Sequence, residues 1–228
     1  MPAKRKVSYI VIAGGGSIGA HLVKMLEASG GKDIAVIEKD RRICENLSSS
    51  INALVICGDA GDKKTLERAK IQMADVFVAA TESDNENIVA CQFAKYSYKV
   101  PLVFARVENM ERAQMMRGMH IDLIVSPAHV ASAVFENAIA LPGATSILMS
   151  ETTTRAVEIL VPDDSKAAGK NIKDLPLPPE CVIAAVHREG KLIIPRDDTV
   201  IKPCDTVAVI GEEDAIRKVM DILMDRTT

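Results

Sequence analysis

Short apolar runs recur through the first half of the chain, at residues 7–13, 34–38, 53–57, 76–80, 102–106 and 123–126. Their Val, Ile, Leu and Ala content is nearly continuous rather than alternating, which predicts strands covered on both faces, and the segments between them carry helical spacing. The first such segment sets Ile18, Leu22, Met25 and Leu26 on one face and stops at Gly30-Gly31, a helix stop signal. Strands that alternate with crossover helices predict an α/β fold, a Rossmann-like doubly wound parallel sheet.

Past Ser126-Pro127 the pattern changes. A longer helical stretch runs through Val130, Val134 and Ile139, stops at Leu141-Pro142-Gly143, and is followed by a Ser/Thr-rich passage at 150–154. This punctuation predicts a domain boundary. Downstream, Val157, Ile159 and Val161 alternate with Glu158 and Leu160, and further short strands are expected at 182–187, 191–194 and 206–210. A closing helix carries Ile216, Val219, Met220 and Leu223 at i, i+3, i+4, i+7 spacing. The expected organisation is a doubly wound domain at 1–127, a connecting helix and linker at 128–150, and a small α+β domain at 151–228. The connecting helix also carries Phe135, Ala138 and Leu141, more apolar surface than a solvent-bridging connector exposes, which packing on its own domain would cover.

Composition narrows the function classes. The chain has 228 residues, 48% hydrophobic and 26% charged, enough apolar material for two small cores. No apolar run approaches the ~20 residues that cross a bilayer, and the Lys4-Arg5-Lys6 start lacks a signal-peptide pattern, so a cytoplasmic protein is expected. The five cysteines, Cys44, Cys57, Cys91, Cys181 and Cys204, are spread without a CxxC pair, and buried reduced thiols are expected rather than zinc ligands or disulfides. A net charge of −3, no Trp and only seven Tyr and Phe together supply neither a basic footprint nor stacking platforms, which argues against nucleic acid.

The candidate chemistry begins at Gly14-Gly15-Gly16-Ser17-Ile18-Gly19, where G-x-G-x-x-G follows a strand and opens a helix. The first glycine permits the tight turn, the second lets backbone approach a pyrophosphate, and the third lets helix pack on strand. The helix N-terminus there favours an anion without any basic side chain. Glu38 ends the second strand, 19 residues past Gly19, where a carboxylate accepts both ribose hydroxyls and repels a 2′-phosphate. An unmodified adenosine ribose is therefore expected, with NAD, NADH, ADP and ATP not separated. The bland alternative is a turn that only packs helix on strand. No acid or base for hydride chemistry can be assembled from His21, His120, His129 and His187, so no catalytic residue and no enzyme are expected. The paired acids Asp163-Asp164, Asp197-Asp198 and Glu212-Glu213 are expected as solvated turns and helix starts, with no metal. A small NAD-dependent oxidoreductase and a Rossmann-type redox sensor stay open as alternatives.

Taken in order, "GGGSIG", "VIEKD", "CGDAGDKKTLERA", "ADVFVAATESDNENIVACQFAK" and "FARVEN" resemble the N-terminal nucleotide-binding domain of the RCK (KTN) family, nearest its Trk-type regulatory subunits. "LPGATSIL" resembles the family's crossover linker, and residues 156–224 are similar to its C-terminal domain. The resemblance implies a diphosphate on residues 14–18, a ribose on Glu38, adenine beside Asp59 and Ala60, the remainder of the ligand near Thr81 and Glu82, and Arg106 facing the phosphates. Three of these have a plainer alternative: Arg106 paired with Glu108, Asp59 as a turn former before Gly61, and Glu82 or Asp84 as a helix-start residue. NAD or NADH is the implied cofactor, with ADP or ATP as alternatives. The implied function is a cytosolic nucleotide-sensing regulatory subunit that gates a membrane potassium channel or transporter of Trk or Ktr type. It would act from the inner face of the membrane, as a homodimer assembled into a tetramer or an octameric ring. Two departures stand out: Lys70 occupies a turn position where the family commonly has glycine, and Ser17 offers no positive charge to a γ-phosphate.

Overall fold

The computed structural model describes residues 7–148 and 154–226, so the Lys4-Arg5-Lys6 start and all of the Ser/Thr-rich passage but Thr154 lie outside the described residues. The chain divides between Ala128 and His129 into two compact units.

The first unit alternates strand and helix throughout: β1 (Tyr9–Ala13), α1 (Ser17–Ser29), β2 (Asp33–Glu38), α2 (Arg41–Ser50), β3 (Leu54–Cys57), α3 (Lys63–Arg68), β4 (Val76–Ala79), α4 (Asp84–Gln92), β5 (Leu102–Arg106), α5 (Met110–Gly118) and β6 (Leu123–Val125). The six strands form one parallel sheet in the order β3-β2-β1-β4-β5-β6. Both faces are covered, as the continuous apolar strands require. On one side Ile10, Ile12, Ile34 and Val36 pack with Val23 of α1 and Leu47 of α2. On the other, Val11, Ala13, Ala35 and Ile37 pack with Leu66, Ala90, Cys91, Ala113 and Met116 from α3, α4 and α5. Burial in this apolar layer pushes the Cys91 thiol up to about 12, so it stays protonated.

Local signals set the helix ends. Asp40 accepts hydrogen bonds from the Arg42 and Ile43 N–H groups, Asp62 from Lys64, Ser83 from Glu86 and Asn109 from Glu111, each capping the helix that follows. Gly30, at φ +66°, ends α1. Met25 departs from the expected buried face and is exposed, because the face that meets the sheet is centred on Gly19 and Val23. Lys70 adopts the left-handed conformation (φ 50°, ψ 43°), the turn shape that glycine would supply more easily.

In the second unit, helix α6 (Pro127–Ala140) leads into β7 (Ala144–Leu148), β8 (Thr154–Leu160), β9 (Cys181–Arg188), β10 (Lys191–Ile193), β11 (Thr206–Glu212) and α7 (Glu213–Met224). These strands make an antiparallel sheet in the order β10-β9-β11-β8-β7. Residues 144–148, expected within the linker, are thus an edge strand paired to β8. Val157, Ile159, Val207 and Val209 form the core with Ile216, Val219 and Leu223 of α7. Fully buried Asp205 accepts both Arg188 Nε and Nη2 at 2.8 Å and the Lys202 N–H at 2.8 Å. Burial alone would raise its carboxyl, but the guanidinium and the backbone donor hold it below the usual range.

The cysteine expectation needs correction. Cys44 of α2 and Cys57 at the end of β3 are joined in a disulfide, with Cα atoms 5.9 Å apart, and Cys57 and Cys204 are exposed rather than buried. The parallel register sets Glu38 beside Cys57 while α2 folds back over the same strand end, so two thiols 13 residues apart meet without any sequence motif.

Candidate functional site

All six strands of the first unit run the same way, so their carboxyl ends share one edge, and there the loops after β1, β2, β3 and β4 surround an open cleft of about 680 Å³. Gly14 takes φ +104°, donates its N–H to Ile37 O at 2.8 Å, and lies so close to β4 that a Cβ would meet Ala80 and Thr81 backbone at 2.7–2.8 Å. A Cβ on Gly19 would collide with the Gly14 carbonyl oxygen, and one on Gly15 with the Leu47 side chain. A Cβ on Gly16 would meet nothing within 4 Å. Gly16 is also the N-cap of α1, without a side-chain cap, so the first turn of this 13-residue helix aims free N–H groups and its positive end at open space.

Glu38 holds this turn in place. Its Oε2 accepts the Gly15 N–H at 2.6 Å, and its Oε1 accepts the N–H groups of Lys39 (2.7 Å) and Asp40 (2.8 Å). Lys39 then reaches across the mouth to Glu86 of α4 at 2.8 Å and Asp59 at 3.6 Å. Glu86, hydrogen-bonded to it, and then Asp59 push its ammonium above the usual lysine value.

The opposite wall depends on a residue that sequence reasoning missed. Asn87 is fully buried; its Oδ1 accepts the Thr81 N–H (3.0 Å) and hydroxyl (2.7 Å), and its Nδ2 donates to Thr81 O and Arg106 O, both at 3.1 Å. One amide thereby fastens the ends of β4 and β5 together. Asp84 adds a second tie, accepting the Glu108 and Asn109 N–H groups at 2.9 and 3.0 Å.

Of the residues expected at the site, Gly14, Gly16, Glu38, Ala60, Thr81 and Glu82 line the cleft together. Gly15, Ser17, Ile18 and Gly19 form the turn and first helical turn behind it without lining it. Asp59 lines a neighbouring recess of about 320 Å³ and accepts the Gly61 N–H at 2.7 Å, the turn-forming role weighed above. Arg106 does not line the cleft; its Nε and Nη2 engage Glu108 Oε1 at 3.0 and 2.5 Å, the ion-pair alternative. Lys39, Ile43, Ser83 and Glu86 line it unforeseen. No local pattern separates them from ordinary loop and helix-start residues, because their place depends on how neighbouring strands align.

Residues 10–127 match the TrkA-N domain family and residues 156–224 the TrkA-C domain family. The chain belongs to the TrkA family. The Trk system potassium uptake protein TrkA homolog of Methanothermobacter thermautotrophicus is 34% identical over 210 residues, 92% of this chain and 96% of that protein. Among solved structures, the RCK domain of GsuK covers the whole chain at 19% identity with a TM-score of 0.66, and the chain spans half of that protein's chain. The GsuK channel bound to NAD matches 97% of the chain and 39% of its own, at 20% identity and a TM-score of 0.54. The TrkA-N unit therefore carries the parallel sheet and the cleft, and the TrkA-C unit the antiparallel sheet. No helix among the described residues is long and apolar enough to cross a membrane.

Proposed function

We propose that the chain is a cytoplasmic regulatory subunit of a potassium uptake system, that it binds an adenine nucleotide in the TrkA-N cleft, and that the bound nucleotide sets the state of a membrane potassium transporter. The observation that carries this reading is the juxtaposition in one cleft of the open Gly16 position, the uncapped start of α1 and the Glu38 carboxylate. A diphosphate fits against the helix start, where free N–H groups and the helix dipole meet anionic oxygens. An adenosine ribose fits beside Glu38, whose carboxylate is held by three backbone N–H groups and keeps lone pairs for the 2′ and 3′ hydroxyls.

Regulation rather than catalysis is favoured by what surrounds the site. The side chains that line it are carboxylates, small or apolar groups, and one lysine engaged by Glu86 and Asp59. No histidine is among the residues that line it. The potassium partner comes from the family relative, named for potassium uptake, and NAD as a ligand is supported by the NAD-bound GsuK channel of the same fold. Self-association into a dimer and then a ring is proposed through α6, where Val130, Val134, Phe135 and Ile139 are exposed. A nucleotide shifts such an assembly only as far as it binds one state better than the other.

The test is calorimetric titration of the purified chain with NAD, NADH, ADP and ATP, with oligomer mass followed by light scattering. Binding that is lost in Glu38→Ala, and an assembly state that changes with the nucleotide, supports the proposal. A chain that binds no nucleotide overturns it.

A further inference from the structure

We propose that Glu82 makes the cleft a reader of ligand charge, favouring the oxidised nicotinamide dinucleotide over its reduced form and over adenosine triphosphate; this rests on the reading of the cleft as an adenine-nucleotide site. Four carboxylates and one ammonium line the cleft: Glu38, Asp40, Glu82, Glu86 and Lys39. All but one are engaged. Glu38 accepts three backbone N–H groups, Asp40 caps α2, and Lys39 is bonded to Glu86. Glu82 alone of the five has no hydrogen-bond or ion-pair partner among the described residues, and it is exposed. Arg106, the cation expected to face phosphate, is engaged by Glu108 instead.

The sheet order says which part of a ligand meets this carboxylate. Strands β2 and β4 flank β1 on opposite sides, so Glu38 at the end of β2 and Glu82 after β4 stand on opposite flanks of the Gly16 position. A dinucleotide with its adenosine ribose at Glu38 and its diphosphate at the start of α1 extends its second nucleoside toward Thr81, Glu82 and Ser83. In the oxidised dinucleotide that nucleoside ends in a pyridinium cation; in the reduced one it ends in a neutral dihydropyridine. A triphosphate sends further negative charge the same way, toward Glu82 and Glu86, with no free cation among the lining residues to receive it. One exposed carboxylate near one cation changes affinity about two- to fivefold, and repulsion of a triphosphate adds in the same direction.

The decisive experiment titrates the full chain at low ionic strength with AMP, NAD+, NADH and ATP, and repeats the series with Glu82→Gln and Glu82→Lys. In the wild-type chain NAD+ is expected to bind about two- to fivefold tighter than NADH, with ATP weakest. The NAD+ to NADH ratio should fall toward one in Glu82→Gln and at high salt, where exposed charges are screened. ATP should gain in Glu82→Lys. The ratio is taken within each variant, so a general loss of fold does not imitate the result, and circular dichroism checks the fold independently. Equal binding of NAD+ and NADH by the wild-type chain, or a ratio that survives Glu82→Gln, overturns the charge reading. AMP binding by the wild-type chain separates this failure from failure of the site itself: if AMP and the dinucleotides all fail to bind, the cleft is not a nucleotide site and both readings fall.

Discussion

The two units use the same apolar residue types to opposite ends. In the TrkA-N unit the strands are parallel and buried on both faces, so every strand leaves the sheet at the same edge and the loops that follow are brought together there. In the TrkA-C unit neighbouring strands are antiparallel, so successive loops are sent to opposite edges. One face of that sheet packs on α7, while Leu160, Val182, Leu192 and Ile210 lie exposed along its strands. A recess within that unit, about 480 Å³, is lined chiefly by Leu141, Pro142, Met220 and Met224, and its Arg217 is engaged by Glu213 and the Ala140 carbonyl. Topology, rather than composition, thus decides which unit gathers polar loop residues into a cleft.

The comparison is broken most severely at Gly19. Gly19→Ala should destabilise the TrkA-N unit by about 3 kcal/mol or more, since the new methyl meets the Gly14 carbonyl rather than a side chain that can move. A urea melt measures the loss, and nucleotide binding should vanish with it. Nearly as large is Asp205→Ala in the other unit, expected to cost about 3 kcal/mol because the Arg188 guanidinium loses its buried partner. Hydrogen exchange should show the change in β9 and β11 while nucleotide affinity holds. The same carboxylate predicts an acid limit: its native value lies below the unfolded one, so its contribution is complete above the usual carboxylate range and is lost as pH falls through the lower native value. A pH series of melts on wild type and Asp205→Ala should converge in acid.

Asn87→Ala should cost about 2 kcal/mol, leaving the Thr81 and Arg106 carbonyls and the Thr81 N–H without their partner. It sharpens the contrast within the cleft: with the ligand placed as proposed, the second nucleoside of a dinucleotide lies at the β4 wall, so a dinucleotide should lose more affinity than AMP. The smallest effect is expected on the open face of the second sheet, where Leu160→Ala should change stability of the dilute chain by less than about 0.5 kcal/mol. A large loss there would mean that a second copy covers this face.

Much of this was legible before any coordinates. Continuous apolar runs separated by helical spacing specify buried parallel strands, because only the backbone period and the burial of both faces are needed. The glycine turn was legible as a motif, and the constraint on Gly19 comes from Gly14 in the same turn, whereas the close approach at Gly14 comes from Ala80 and Thr81 after β4. Less was visible where the partner is distant in sequence. Arg106 carries a charge suited to phosphate, yet in the fold it engages Glu108; nothing in the residue type distinguishes the two outcomes. Residues 144–148 fall in the stretch that resembles the family's crossover linker, yet pairing with β8 makes them a strand.

By itself, then, the sequence determined the strand and helix order of the TrkA-N unit, the tight glycine turn before α1, the carboxylate at the end of β2 and the change of period after Pro142, since each is written in the residues of one or two adjacent elements. Only the tertiary structure decided that Cys44 meets Cys57, that Lys39 crosses to Glu86, that Asn87 ties β4 to β5, and that Glu82 faces the cleft unpartnered. Those outcomes follow from how strands far apart in sequence align side by side. A hydrogen bond or ion pair exists only where that alignment brings donor and acceptor within about 3 Å.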